Sequence, residues 1–282
     1  MQLDDGTKLL ADLYIDCSGT SSQLLARLNN DFACQRTVYV SSEIQPCAQT
    51  GPAYLSISGI KHGWQSVTTL REHNHVVSLT ESTFEVDLAD GQAHYQTFAL
   101  GHRNKAWHGN CPDIENSAYA LEPISPASYI LLKKDIERLL ELIPVSHEAR
   151  IERQQYNRQF QDDVTHAELF HRALYAEQRD VGFDFSEKLD RKLTQYLHRV
   201  ILASYVFEPF NKQDWAILHA GFGKVPKHYD RMAEQVDFEK MQANLDNIRA
   251  GFAHLATCTP GDKHTLRQAH FATSMPSQHI YL

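Results

Sequence analysis

Histidines, cysteines, a serine before a proline and a glycine pair are the residues of this sequence whose types and spacing could do chemistry. His166 and His171 stand five apart in HAELFHRALY. A helix turns them about 140° from one another, so they lack the shared face on which HExxH-type pairs chelate a metal. His73 and His75 can share a strand face, but no third ligand is nearby, and no metal site is expected. The five cysteines (Cys17, Cys34, Cys47, Cys111 and Cys258) are odd in number, widely spaced and free of any CxxC. That pattern points away from a disulfide framework or structural zinc and fits a reducing compartment. Gly221-Phe222-Gly223 follows an apparently helical DWAILHA rather than a strand and lacks a third glycine. It reads as a helix C-cap and turn, not as a dinucleotide loop. Ser125-Pro126 reads as a helix start, with Ser125 as N-cap and Pro126 at the first helical position.

The elements that must position these residues change character along the chain. The first third is β-rich: Ala11 to Asp16 is a short apolar run, while Thr37 to Ile44 and Thr83 to Leu88 alternate apolar and polar positions. Asp5-Gly6 and Asp90-Gly91 are hairpin-type turn signals. A hairpin opening the chain is only marginally stable without a sheet to join, so the start looks orphaned and an upstream segment is expected. From about residue 125 the period becomes helical. Leu132, Ile136, Leu139, Leu140 and Ile143 share one face, followed by Tyr156, Phe160, Val164, Ala167 and Leu174, then by Leu189, Leu193, Tyr196, Leu197 and Val200. Phe238, Met241, Leu245, Ile248, Phe252 and Leu255 form a seam expected to pack on another helix.

Composition narrows the class. With 282 residues and 42% hydrophobic content the chain can fill a sizeable core, which excludes disordered and fibrous classes. Its formal charge of −8, without any Lys/Arg cluster, argues against a nucleic-acid binder. No stretch reaches a membrane span, and the acidic start MQLDD is unlike a signal peptide, so a cytoplasmic protein is expected.

Two segments, ADLYIDCSGTSSQLL (Ala11 to Leu25) and RNKAWHGNCPDIENSAYALEP (Arg103 to Pro123), resemble the flavin-dependent tryptophan halogenases, a branch of the flavin monooxygenase-like enzymes. Weaker similarity continues to AGFGKVP (Ala220 to Pro226). The resemblance implies an α/β plus α architecture: the later part of a flavin-monooxygenase-like FAD domain with a mixed sheet, over residues 1–124, followed by a helical substrate-side domain over residues 125–282. It implies reduced FAD supplied by a separate flavin reductase, a halide ion, and tryptophan or another indole-type substrate. It places Cys17, Ser18, Gly19, Gly109, Asn110, Asn116 and Tyr129 against the flavin, and the halide at the amides of Ala127 and Ser128. Phe207, Phe210 and Trp215 resemble the segment that sandwiches the indole, although such spacing is also ordinary helix core. Cys17 and Cys111 lie in the flavin-facing segments, where a small buried residue explains them as well as chemistry does.

Three departures from the family pattern shape the functional expectation. The family's GxGxxG and catalytic lysine belong to a stretch N-terminal to anything in this sequence. Its GWxWxIP signature survives only as Gly63-Trp64, and a tryptophan on a half-buried strand is more often plain core. Its assisting glutamate is replaced by Ser125, whose hydroxyl is a poor acid or base near neutral pH. The expectation is therefore a truncated halogenase-like oxidoreductase, inactive as this chain alone and binding FAD weakly or not at all. The alternative is a non-catalytic remnant or binding protein that keeps the helical half.

Overall fold

A computed structural model describes residues 4–28, 31–47, 54–70, 72–83, 95–145, 149–175 and 187–259. In chain order its strands are β1 (Phe32–Pro46), β2 (Leu55–Ile60), β3 (Gly63–Thr69), β4 (His73–Glu81), β5 (Tyr95–Arg103), β6 (Trp107–His108), β7 (Cys111–Pro112) and β8 (Tyr119–Ala120). The helices follow as α1 (Ala127–Glu141), α2 (Arg150–Leu174), α3 (Glu187–Arg199), α4 (Lys212–Gly221) and α5 (Phe238–Cys258). This is the strands-then-helices, α/β plus α order expected from the change of period. The described residues fall into two compact units, one drawn from residues 1–38 and 97–229, the other from 39–96 and 230–282. β1 contributes its first residues to the first unit and the rest to the second. Residues 84–88 of the expected strand Thr83 to Leu88, the Asp90-Gly91 turn and residues 1–3 of the first arm of the Asp5-Gly6 hairpin lie outside the described residues, while Thr83 and Asp4–Asp5 are turn residues.

In the first unit, β5 pairs antiparallel with β8 (Gly101 with Ala120, His102 with Tyr119) and lies beside the start of β1. A Cβ at Gly101 would sit 2.1 Å from the Ala33 carbonyl oxygen, so only glycine permits that approach. β6 and β7 form a small hairpin that turns at Gly109, whose φ of +60° a residue with a side chain rarely adopts. Ala11 to Asp16 is not a strand of its own. It runs along this hairpin, with the Tyr14 and Asp16 amides donating to the carbonyls of Asn110 and Pro112 (both 2.9 Å) and one parallel bridge joining Asp16 to Asp113. The short apolar run lacks the length for a full ladder, and a partner supplied at sequence distance completes its hydrogen bonding.

The core of this unit packs Trp107, Tyr119, Tyr156 and Phe160 between α1, α2 and the short strands, with Trp107 edge-on to Tyr156 at 5.5 Å. The expected α2 face is the buried one. The α1 face is not: Leu131, Asp135, Arg138 and Leu139 are buried, whereas Ile136, Leu140 and Ile143 are exposed. The buried stripe is interrupted by an aspartate and an arginine that neutralise each other at 2.9 Å, so a reading by hydrophobicity alone chose the neighbouring stripe. On α3, Leu189 and Tyr196 are buried as expected, Lys192 is buried with them, and Val200 lies beyond the helix end and is exposed.

The second unit holds the β2-β3-β4 meander, with β4 beside the later part of β1. Trp64 pairs with Leu79 across β3 and β4, and both are buried, so Trp64 is core here. α5 is capped by Asp237, whose carboxylate accepts the Lys240 amide at 3.1 Å. The six seam residues of α5 were expected to pack on another helix, yet each is exposed among the described residues, from 40% at Met241 to 68% at Phe238 and Phe252. Periodicity records an apolar stripe without specifying what covers it.

Candidate functional site

The carbonyl bonds between residues 14–16 and 110–112 bring the two segments singled out in the sequence into one junction, and buried carboxylates lock it. Asp16 accepts the amides of Ser18, Leu24 and Leu25 at 2.9, 2.7 and 3.1 Å and the Ser18 hydroxyl. Burial opposes its charge, but the Ser18, Leu24 and Leu25 donors outweigh burial and hold the carboxyl below its usual range. Asp113, fully buried, accepts Arg103 Nε at 3.0 Å and the Ser22 hydroxyl at 3.2 Å through one oxygen, and its other oxygen has no partner. Burial and then the neighbouring Asp16 charge push it up to about 7 against the opposing pull of Arg103. Asp16, Ser22, Arg103 and Asp113 were not among the site residues expected from the sequence. An aspartate inside a DCSG turn, with serines behind it, was the available signal for Asp16, because such side chains collect local amides. Nothing local marks Asp113 or Arg103.

The sign of the pH effect follows. Asp113 binds its proton more tightly folded than unfolded, so its contribution to stability is complete below about 4 and is lost as pH rises through about 7. Asp16 acts in the opposite sense, and its contribution is lost only in acid. Carboxyl carbon NMR should find Asp113 titrating near neutrality, while urea unfolding between pH 5 and 8 should show a stability loss that Asp113→Asn flattens. A midpoint near 4 for Asp113 would contradict the coupling.

Around this junction Gly19 (φ +72°) and Gly109 adopt left-handed turns with open space where a side chain would stand. Cys17 is exposed, and burial followed by the charges of Asp16 and Glu115 raises its thiol. Cys111 is buried and pushed up to about 12 by burial and the two aspartates, so it is a packed thiol and no nucleophile. Asn110 donates to the Asp12 carbonyl at 3.3 Å, and Asn116 donates to Glu115 at 3.2 Å. Glu115 itself has a φ of +56° beside Asp113, a conformation uncommon outside glycine. Tyr129 stands apart on α1, 79% exposed.

The start of α1 differs by one residue from the expected cap. Pro126 occupies the cap position and the helix begins at Ala127. The Ser125 hydroxyl still accepts the Ala127 amide at 3.2 Å, but it is also drawn to Nε2 of His171 at 2.6 Å. The Ala127 amide is thereby engaged, and the Ser128 carbonyl accepts the Tyr119 hydroxyl at 3.3 Å. Glu122, three residues before Ser125, is buried between Arg36 and the Tyr175 hydroxyl, with the Arg36 guanidinium 5.6 Å from the Tyr175 ring centre. His166 is not beside His171: it stacks on Tyr205 at 5.1 Å, and burial lowers its pKa. Among the described residues no group of three or more His, Cys, Asp or Glu is placed to hold a metal.

A second region lies between α3 and α4. A cavity of about 470 Å³ is lined by Ser204, Tyr205, Glu208, Phe210, Asn211 and Lys212, among others. Asn211 and Asp214 form a reciprocal capping box that starts α4 there. Of the three aromatic residues expected at an indole site, Phe210 lines the cavity and stacks on Phe170 at 3.7 Å. Trp215 lies behind it, fully buried, donating its ring N–H to Glu208 at 2.6 Å. Phe207 turns through a φ of +62°, and its carbonyl accepts Lys134 at 3.1 Å. The sequence reading missed Lys192, which is 1% exposed, donates to Glu208 (2.8 Å) and the Ala203 carbonyl (2.7 Å), and lies 4.8 and 4.6 Å from the ring centres of Tyr205 and Trp215. A lysine on an amphipathic stripe leaves no trace beyond its spacing from Leu189 and Tyr196. Gly221 and Gly223 close α4 as expected: Gly223 has a φ of +67° and donates to Ala220, and Lys224 donates to His219.

A family model described as tryptophan halogenase matches residues 1–238. BrvH, a flavin-dependent halogenase from Brevundimonas sp. BAL3, is similar in structure with a TM-score of 0.82 and 25% identity, over 95% of this chain and 60% of that one. A tryptophan halogenase from Shewanella frigidimarina NCIMB 400 matches at a TM-score of 0.75 and 16% identity, over 91% of this chain and 56% of that one. The tryptophan 6-halogenase SttH from Streptomyces toxytricini also has a TM-score of 0.75 and 16% identity, over 89% and 56% of the two chains. This chain thus spans less than two thirds of the length of these structures. No curated protein matches the sequence. No helix among the described residues is long and apolar enough to cross a membrane.

Proposed function

From the premise that the chain belongs to the tryptophan halogenase family, we propose that it carries the isoalloxazine-side contacts and the substrate-side helices of a flavin-dependent halogenase acting on an indole-type substrate. The observation that carries this reading is the junction itself: segments 11–25 and 103–123, distant in sequence, are hydrogen-bonded to each other with open space beside Gly19 and Gly109. In this reading Cys17, Ser18, Gly19, Gly109, Asn110 and Asn116 face the flavin at the junction, Tyr129, exposed on α1 and apart from it, would have to meet the flavin from outside, and residues 1–124 and 125–282 divide the work between cofactor and substrate. The halide position falls at the first amides of α1, Ala127 and Ser128, where the Ala127 amide would have to release the Ser125 hydroxyl to take the ion.

The residues present fit one side of FAD only. A pyrophosphate is held by a glycine-rich turn between a strand and a helix N-terminus, and the one Gly-x-Gly of this sequence closes the C-terminal end of α4. Reduced FAD, supplied by a separate flavin reductase, brings the oxygen chemistry that oxidises a halide. The chain's own residues do the positioning. Asp16 gathers the amides of the 18–25 turn, Arg103 and Ser22 tie Asp113 to it, and the small glycines leave room for a flat ring. The cavity beside Phe210 takes the aromatic substrate, its floor stiffened by Trp215 and Glu208. A second reading, a non-catalytic binding protein, is favoured by one observation: Ser125 brings no carboxylate to the start of α1, and its hydroxyl is occupied by His171 and Ala127.

Competition dialysis separates these outcomes. The chain should bind FAD weakly, FMN should displace it about as well as FAD itself, and ADP-ribose should not compete, because only the ring side is recognised. Tight, near-stoichiometric retention of FAD, or competition by ADP-ribose, would reveal a pyrophosphate site and contradict the assignment. Absence of any flavin binding, with saturable indole binding lost in Phe210→Ala, would leave the binding-protein reading.

A further inference from the structure

We propose that Ser125 and His171 form a serine–histidine dyad able to take up an acyl or phosphonyl group from a small activated ester, a nucleophilic activity separate from the flavin chemistry. Ser125 Oγ lies 2.6 Å from His171 Nε2, within the range in which a base relieves a hydroxyl of its proton. The two residues come from different elements, Ser125 from the turn before α1 and His171 from the last turn of α2, so their meeting is a product of the fold and not of local sequence. Ser125 is half-buried, whereas His171 is 6% exposed and carried by α2, so the serine is the more accessible of the pair and the base is held in place.

The Ser125 oxygen accepts the Ala127 amide at 3.2 Å, and its own hydrogen is directed to His171 when Nε2 is the unprotonated ring nitrogen. His171 can accept it because its imidazole is neutral: burial pushes its pKa down to about 4, against the opposing charge of Glu122 and with the repulsion of Arg36. Glu122 is in turn bonded to Arg36 and the Tyr175 hydroxyl, so the charged groups facing His171 are themselves anchored. In the tautomer protonated at Nδ1, the serine O–H donates to Nε2, the arrangement from which acyl transfer begins.

The chemistry balances with an ester and water alone. Ser125 Oγ forms a bond to the carbonyl carbon as its proton passes to His171 Nε2; the carbon–alkoxide bond breaks and the leaving oxygen takes that proton. Water then adds to the acyl carbon, giving one proton to Nε2, and the Ser125–acyl bond breaks to release the carboxylic acid while Ser125 recovers its proton. A fluorophosphonate follows the first half only, with fluoride leaving and a stable Ser125–phosphorus bond remaining.

The experiment uses the full chain, a fluorophosphonate probe with peptide mapping, and p-nitrophenyl acetate. Labelling should fall on Ser125, p-nitrophenolate should appear as a burst approaching one equivalent, and Ser125→Ala should lower both by about a hundredfold or more. The labelling rate should stay level from pH 8 to pH 6 and fall only towards pH 4, lower than an ordinary imidazole would allow. His171→Gln keeps a polar partner but cannot take the proton, so it should lose labelling while circular dichroism shows α1 and α2 intact. If His171→Gln unfolds, Ser125→Ala and the pH profile still decide the matter, since a residue that only caps a helix would never acquire the probe. Labelling elsewhere, labelling that survives in Ser125→Ala, or no labelling of the folded chain would overturn the proposal.

Discussion

Arg138→Met is expected to destabilise the first unit by about 3–5 kcal/mol at pH 8, the cost typical of removing one partner from a buried ion cluster. Arg138 is 4% exposed and reaches two acids on different helices, Asp135 on its own α1 at 2.9 Å and Asp163 on α2. Lys134 also reaches Asp163, but from a more exposed position, so Arg138 is the only cation in this group that is itself fully enclosed. Without it Asp135 would retain hydrogen bonding only from neighbours such as the Glu115 amide at 3.4 Å. The pH dependence is opposite in sense to an ordinary exposed ion pair. Burial already pushes Asp135 up to about 7 despite Arg138, and it also raises Asp163. Stability from each is complete below the unfolded value and is lost as pH rises, so protonation relieves the variant and its deficit should shrink at pH 5. Urea unfolding followed by circular dichroism at the two pH values checks this. A loss under about 1 kcal/mol at pH 8, the size expected of a surface pair, would mean the cluster is solvated.

Glu208→Ala should be nearly as costly and should also erase the cavity wall. Its two oxygens hold the Trp215 ring nitrogen, the Lys192 ammonium and the Tyr205 amide, so truncation leaves a fully buried lysine with only the Ala203 carbonyl and two aromatic faces. An uncompensated buried charge of this kind costs about 3–5 kcal/mol. Removing both charges with apolar residues of similar volume, in Lys192→Met with Glu208→Leu, should recover much of that stability. If the cavity takes an indole as proposed, Glu208→Ala and the double variant should both bind it poorly, because Trp215 has no acceptor to fix its ring behind Phe210. A double variant no more stable than Glu208→Ala would show that packing, not charge, was the cause.

The two predictions concern residues that the linear pattern concealed, and the reason is the same in both. Where burial coincides with hydrophobicity, as at Tyr156, Phe160, Val164 and Ala167, the period of the sequence identified the face that packs. It failed on α1, because Asp135 and Arg138 neutralise each other inside the stripe and so read as surface. It missed Lys192 for the same reason, since the partner that makes its burial tolerable lies sixteen residues away at Glu208. On α5 the period was right and the packing was not, because an apolar stripe expresses a preference for burial without naming its cover.

What the sequence determined by itself was local or motif-bound: the order of strands before helices, the glycine close of α4, the burial of Trp64, and the two segments that mark the halogenase family. Only the tertiary structure decided how those segments act together. The Tyr14 and Asp16 amides choose carbonyls some ninety-six residues away, Asp113 comes to rest against Asp16, and Ser125 meets His171 instead of serving only as a cap. Each of these contacts joins groups whose individual preferences are weak and generic. A buried carboxylate or hydroxyl must find a partner, and which partner it finds depends on the packing of the helices and strands that carry them.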